Sequence, residues 1–173
     1  IVGRLRYFKG LNYLIDAMRS VNGMLLIIGT GPEGNKLKAQ VAERGLGDRI
    51  FFLGDISDDE LPSYYKACDV FVLPSSHRSE AFGTVLIEAM ASGKAIVSTE
   101  LGTGTSFVNV HNQTGLVVPP GDPVMLAEAV NRLLSDHSLR HEFAANAKKR
   151  AEEFSDTVLN RRILQVYGEV MLS

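Results

Sequence analysis

Glu80-Ala81-Phe82-Gly83-Thr84-Val85-Leu86-Ile87-Glu88-Ala89-Met90-Ala91-Ser92-Gly93 decides the fold. It follows the apolar run Asp69-Val-Phe-Val-Leu73, which reads as a buried strand. A polar loop, a glycine and a helix ending at Gly93 come next. Strand, loop, glycine and helix together make an anion site, because the free N–H groups and positive dipole end of the helix face the loop. Glu88 lies one turn into the helix, on the face of Thr84 and roughly 6 Å further along the axis. A phosphate at the helix start would have this carboxylate about one sugar ring away. An ionised carboxylate only accepts hydrogen bonds and a ribose diol offers two donors, so the pairing suits a nucleotide. Glu80, before the helix, is positioned to meet a second sugar.

Working outward, apolar strand runs alternate with helical stretches. The strands are expected at 1–4 (truncated), 24–28, 50–53, 70–73, 95–98 and 115–118. Helices are expected at about 11–20, 35–44, from Ser57 to Ala67, from Gly83 to Gly93, briefly after Gly102–Ser106, and at 123–135, 138–153 and 156–171. Ser57-Asp-Asp-Glu60 has the form of a capping box, and Asp122-Pro123 is a cap followed by a first-turn proline. Six alternations predict an α/β fold, a Rossmann-like doubly wound six-stranded parallel sheet with C-terminal helices. With strand order 3-2-1-4-5-6, the switch point falls between the first and fourth strands. The loop carrying Arg4 and Lys9 then meets the loop carrying Glu80 and Gly83.

The totals fit one domain spanning 1–173. The chain is 45% hydrophobic and 22% charged, with net charge −2, which points to neither a nucleic-acid nor a polybasic membrane partner. No run is long enough to span a membrane. Cys68 is the single cysteine, so there is no internal disulfide; it reads as a core thiol in a reducing cytoplasm. The opening inside a strand suggests one domain of a longer protein.

Ser79-Glu80-Ala81-Phe82-Gly83-Thr84 through Glu88-Ala89-Met90-Ala91-Ser92-Gly93 resembles the Glu-x₇-Glu signature of retaining, nucleotide-sugar-dependent glycosyltransferases of the two-domain GT-B fold, family 4 in particular. Nearly the whole chain resembles the C-terminal, donor-binding domain. Gly3-Arg4-Leu5 with Lys9-Gly10 is similar to the family's diphosphate-holding pattern. The departing nucleoside diphosphate gains negative charge, which fixed cations stabilise; arginine supplies a fork and lysine a point charge. The resemblance implies that Arg4, Lys9 and Glu80 carry the chemistry. It implies that Glu88 binds ribose, that N–H groups near Phe82, Gly83, Thr84 and Val85 hold sugar and diphosphate, and that the base rests by Gly54-Asp55-Ile56. No cofactor and no metal are expected, since two cations and a helix start replace one. The partners implied are the nucleotide-sugar donor, an N-terminal domain of the same protein, and a glycan or lipid-linked acceptor. A cytoplasmic location, peripheral at the inner face of the plasma membrane, follows. The domain alone is expected to bind donor without catalysing transfer, and the last helix is expected to pack on the N-terminal domain.

Ala81 stands where the family often has glycine, and Glu100-Leu-Gly-Thr-Gly-Thr-Ser-Phe-Val-Asn109 replaces the frequent Gly-Gly-x-Pro-Glu loop. That loop resembles bacterial polysaccharide mannosyltransferases using GDP-mannose. A nucleotide-sugar epimerase, a pyridoxal-phosphate phosphorylase and a non-catalytic nucleotide-binding module share the architecture, although no lysine recommends a Schiff base. Gly29-Thr-Gly31 lacks a third glycine at the dinucleotide spacing and is kept only as a wall of the site. His77, His111, His137 and His141 show no metal spacing, Lys148-Lys-Arg150 reads as a solvated helix face, and Phe51 and Phe52 read as core.

Overall fold

The computed structural model describes residues 1–171. The strands are β1 (Leu25–Ile28), β2 (Ile50–Gly54), β3 (Val70–Leu73), β4 (Ala95–Thr99) and β5 (Gly115–Val118). The helices are α1 (Leu11–Ala17), α2 (Gly34–Glu43), α3 (Leu61–Ala67), α4 (Thr84–Ala91), α5 (Gly104–Val108), α6 (Pro123–Ser135), α7 (His137–Ala151) and α8 (Asp156–Met171). All strand pairs are parallel. Val72 faces Val97 across β3 and β4, and Val97 faces Leu116 across β4 and β5.

Among the described residues five strands form, not six, and they lie in two sheets, β1-β2 and β3-β4-β5. The expected first strand contributes a single bridge, Val2 to Ile28. Residues 1–5 run beside β1, with Gly3 N donating to Ile28 O at 2.9 Å and Leu5 N to Thr30 O at 2.9 Å. No strand pairing carries them on to β3, so the two halves of the expected order, 3-2-1 and 4-5-6, are each kept without being joined as one ladder.

The apolar runs form the core for the reason their pattern suggests: parallel strands covered on both faces need side chains that are apolar throughout. One cluster gathers Ile27, Leu14, Ile15, Leu126 and Leu133 between β1, α1 and α6. A second gathers Phe71, Leu73, Leu86, Met90 and Ile96 under α4. Asp122 caps α6 by accepting from the Val124 and Met125 N–H groups at 3.0 Å each.

Four local readings are corrected. Ser57 and Glu60 make a turn, the Ser57 hydroxyl donating to the Glu60 carboxylate at 2.8 Å, and the helix begins only at Leu61. Phe51 is 39% exposed, because that face of the two-stranded sheet is open. Cys68 is half-buried at the end of α3. Arg150 is not solvated: it donates to the Val108 and Phe107 carbonyls and lies over the Phe107 and Phe154 rings. The apolar stripe of α8 stays at the surface, with Leu159, Ile163 and Tyr167 exposed and no residue of the helix buried.

Candidate functional site

Two loops far apart in sequence meet where the switch-point argument puts them. Gly10, with φ 65°, lies so close to the loop after β3 that a Cβ there would collide with the Pro74 carbonyl oxygen. Glycine is therefore required on grounds of space as well as of backbone conformation. Ser76 N donates to Phe8 O at 2.8 Å across the same junction.

Glu80 is buried at this junction. Lys9 Nζ donates to its Oε2 at 2.6 Å and the buried Ser75 hydroxyl donates to the same oxygen at 3.0 Å. The Thr103 hydroxyl holds the Glu80 backbone carbonyl at 2.9 Å, and the Thr99 hydroxyl donates to Ser75 O. A charged acceptor in a poorly hydrated position needs such donors. Both side-chain bonds fall on Oε2; Oε1 carries none among the described residues.

Gly83, in the left-handed region at φ 73°, turns the chain into α4. Leu86 N donates to Gly83 O at 2.8 Å, while the Thr84 and Val85 N–H groups at the helix start carry no hydrogen bond among the described residues. Thr84 is exposed, Val85 is half-buried against the second core cluster, and Phe82 is 40% exposed with its ring edge on Phe154. Glu88 follows one turn later on the exposed face and accepts the Tyr65 phenol at 2.6 Å. Burial, then the Glu88 carboxylate, makes Tyr65 a far weaker acid than an ordinary phenol, so its O–H remains a donor.

Arg4 lines a cleft of about 400 Å³ with Gly3, Gly29, Thr30, Asp55 and Ile56. It forms no ion pair or hydrogen bond among the described residues, leaving its guanidinium available to an anion. The Lys9 ammonium reaches the same wall, for a Cβ on Gly3 would lie 3.4 Å from its Nζ. Gly54 O accepts Gly29 N at 2.7 Å, and the Thr30 hydroxyl donates to both Asp55 carboxylate oxygens, at 3.1 and 2.9 Å. Of Gly29-Thr-Gly31, Gly29 and Thr30 thus form a wall of this cleft, while Gly31 lies against the Leu5 backbone.

The structure brings Lys9 directly to Glu80, where sequence reasoning had given them separate targets. Ser75, Thr103 and Tyr65 were missed. Ser75 had a signal, being the second residue past a buried strand; Tyr65 had none, since its partner is 23 positions away. In the variant loop, Glu100 Oε1 accepts the Ser106 hydroxyl at 2.6 Å and Gly102 N at 2.8 Å. These bonds, Ser106 first, hold the Glu100 carboxyl below its ordinary range. His111 Nδ1 accepts Val117 N at 3.0 Å, His137 and His141 are exposed, and no described group of three His, Cys, Asp or Glu residues could hold a metal.

Residues 1–150 match the family of glycosyl transferases group 1. The chain belongs to this family. Among curated relatives of this glycosyl transferase chain, the D-rhamnosyltransferase WbpZ of Pseudomonas aeruginosa is 40% identical over 149 residues, covering 86% of this chain and 39% of that protein. The O-antigen chain mannosyltransferase C of Escherichia coli is 36% identical over 152 residues, covering 88% and 41%. The chain therefore spans about two fifths of the length of these relatives. Among solved structures, Anabaena HepE in complex with UDP superposes with TM-score 0.88 at 28% identity, over 97% of this chain and 48% of that one. The C-terminal domain of LpcC from Francisella tularensis, a glycosyl transferase group 1 protein, gives 0.77 at 29% identity, over 87% and 82%. The architecture is that of the Rossmann-like domains of GT-B glycosyltransferases. Among the described residues no helix is long and apolar enough to cross a membrane.

Proposed function

We propose that this chain is the donor-binding half of a retaining glycosyltransferase that moves a hexose from a nucleoside diphosphate sugar to a glycan or lipid-linked acceptor. The observation that carries the reading is the junction itself: Lys9 and Ser75 fix Glu80 on one side of an open helix start, Arg4 lines the cleft beside it, and Glu88 stands one turn further on.

On this reading the diphosphate lies at the start of α4, taking N–H groups near Phe82, Gly83, Thr84 and Val85. Arg4 meets the charge that develops as the glycosidic bond breaks, and so does Lys9, whose ammonium is shared with Glu80. Glu80 uses Oε1 to hold a hydroxyl of the transferred sugar. Glu88 receives the ribose diol, and the base packs on Ile56 near Gly54. Two cations and a helix start supply the positive charge a metal would otherwise bring, so the reaction needs none. The name of the Escherichia coli relative and the variant loop at Glu100–Asn109 support mannose from GDP-mannose as the donor. The acceptor surface belongs to a separate domain, and the exposed stripe of α8 packs against it. The protein works in the cytoplasm and touches the inner membrane face only through that domain.

The test is transfer by the full-length protein, with GDP-mannose and UDP-glucose offered in turn and the new anomeric centre read by NMR. Transfer with the donor's anomeric configuration kept is expected. An inverted product, or release of a free epimerised sugar, would contradict the reading.

A further inference from the structure

We propose that Tyr65 is a positioning residue that sets the carboxylate of Glu88 for the ribose diol; the inference rests on Glu88 being the ribose-binding group. Tyr65 sits on α3 and Glu88 on α4, so the contact joins two helices. Tyr65 is only 4% exposed and its ring packs on Phe71 at 5.5 Å between centroids, which leaves the phenol no freedom to swing away. Glu88 is the opposite case. It lies on an exposed helix face, where a glutamate samples many rotamers and loses that freedom on binding. The 2.6 Å bond from the fixed phenol to Oε2 selects one rotamer before a ligand arrives. It also divides the carboxylate. Oε2 keeps one lone-pair direction and Oε1 keeps both, enough to accept the two hydroxyls of a vicinal diol.

A buried tyrosine commonly finds a hydrogen-bond partner simply to satisfy its own hydroxyl. The two roles separate in Tyr65→Phe, which keeps the ring and its packing on Phe71. The experiment is calorimetric titration of the full-length protein, wild type, Tyr65→Phe and Glu88→Ala, with GDP and UDP and with their 2′,3′-dideoxy forms. Thermal melts confirm that each variant is folded. Wild type is expected to bind one ribonucleoside diphosphate about tenfold or more tighter than its dideoxy form, the worth of hydrogen bonds to a charged group. Tyr65→Phe is expected to weaken the ribo form about three- to tenfold with the dideoxy form unchanged, so that the preference shrinks toward that of Glu88→Ala. If Tyr65→Phe keeps the wild-type preference, or weakens both forms alike, the positioning role is wrong while the ribose reading of Glu88 stands. If wild type itself shows no preference for the ribo form, or binds neither diphosphate, the reading of Glu88 falls and takes this inference with it.

Discussion

Lys9 Nζ and Glu80 Oε2, 71 positions apart in sequence, lie 2.6 Å from each other with side chains only 12% and 10% exposed. The pair ties the loop before α1 to the loop before α4 and neutralises a carboxylate that would otherwise be buried alone. Removing one partner leaves the other charge poorly hydrated, which costs about 3 kcal/mol in such positions. Lys9→Met and Glu80→Gln are each expected to lower unfolding stability by about this amount, and the double variant by less than their sum. Denaturant unfolding of the four proteins in a double-mutant cycle measures the coupling. Additive losses would mean the contact contributes nothing.

Gly83 is the hinge into α4. Alanine there would hold a left-handed conformation and press its Cβ to 3.0 Å from Leu73 Cδ2 and 3.1 Å from Leu86 Cδ1. Gly83→Ala is expected to cost about 1–3 kcal/mol and to turn the first-turn N–H groups away from the junction. Chemical denaturation reads the first effect and diphosphate affinity the second, and both are expected to fall together.

Asp122→Ala provides the contrast. It removes the two N-terminal bonds of α6, worth about 1 kcal/mol. That helix packs on α1 and on β3, β4 and β5, and the bonds of its Asp122 cap stay within its own first turn. The melting temperature should drop while diphosphate affinity stays at the wild-type value; a loss of affinity would mean that α6 shapes the site.

Glu100 gives a pH dependence. Its folded-state pKa lies below the ordinary 4.5 because Ser106 and the Gly102 N–H stabilise the charged form. A depressed carboxyl contributes stability above its unfolded value and loses it as pH falls through the folded one. The 100–106 loop is therefore expected to loosen only below about pH 4.5. Amide exchange at Gly102, followed against pH, should show this onset, and Glu100→Gln should abolish it.

Much of this was legible in sequence because parallel strands must be apolar throughout. Val70–Leu73 and Gly115–Val118 stand where their runs predict, and Asp122-Pro123 starts α6 as its capping chemistry requires. The convergence of the Lys9 and Glu80 loops followed from the switch point alone. What sequence could not supply were side-chain partners set by packing. Tyr65 finds Glu88 only because α3 and α4 lie side by side, and Arg150, in a run of basic residues, leaves solvent because Phe107 and Phe154 offer their faces. The first strand failed as a strand because a ladder needs successive bridges and Val2 makes just one.

The proposed donor site is a metal-independent nucleoside diphosphate site between Arg4 and Glu88. Its most direct test is calorimetric titration of the full-length protein with GDP, UDP and ADP in EDTA, repeated with Arg4→Ala and Glu88→Ala. One diphosphate is expected to bind without metal and to lose about tenfold or more in each variant. Binding that needs a divalent ion, or that neither substitution weakens, would contradict the account.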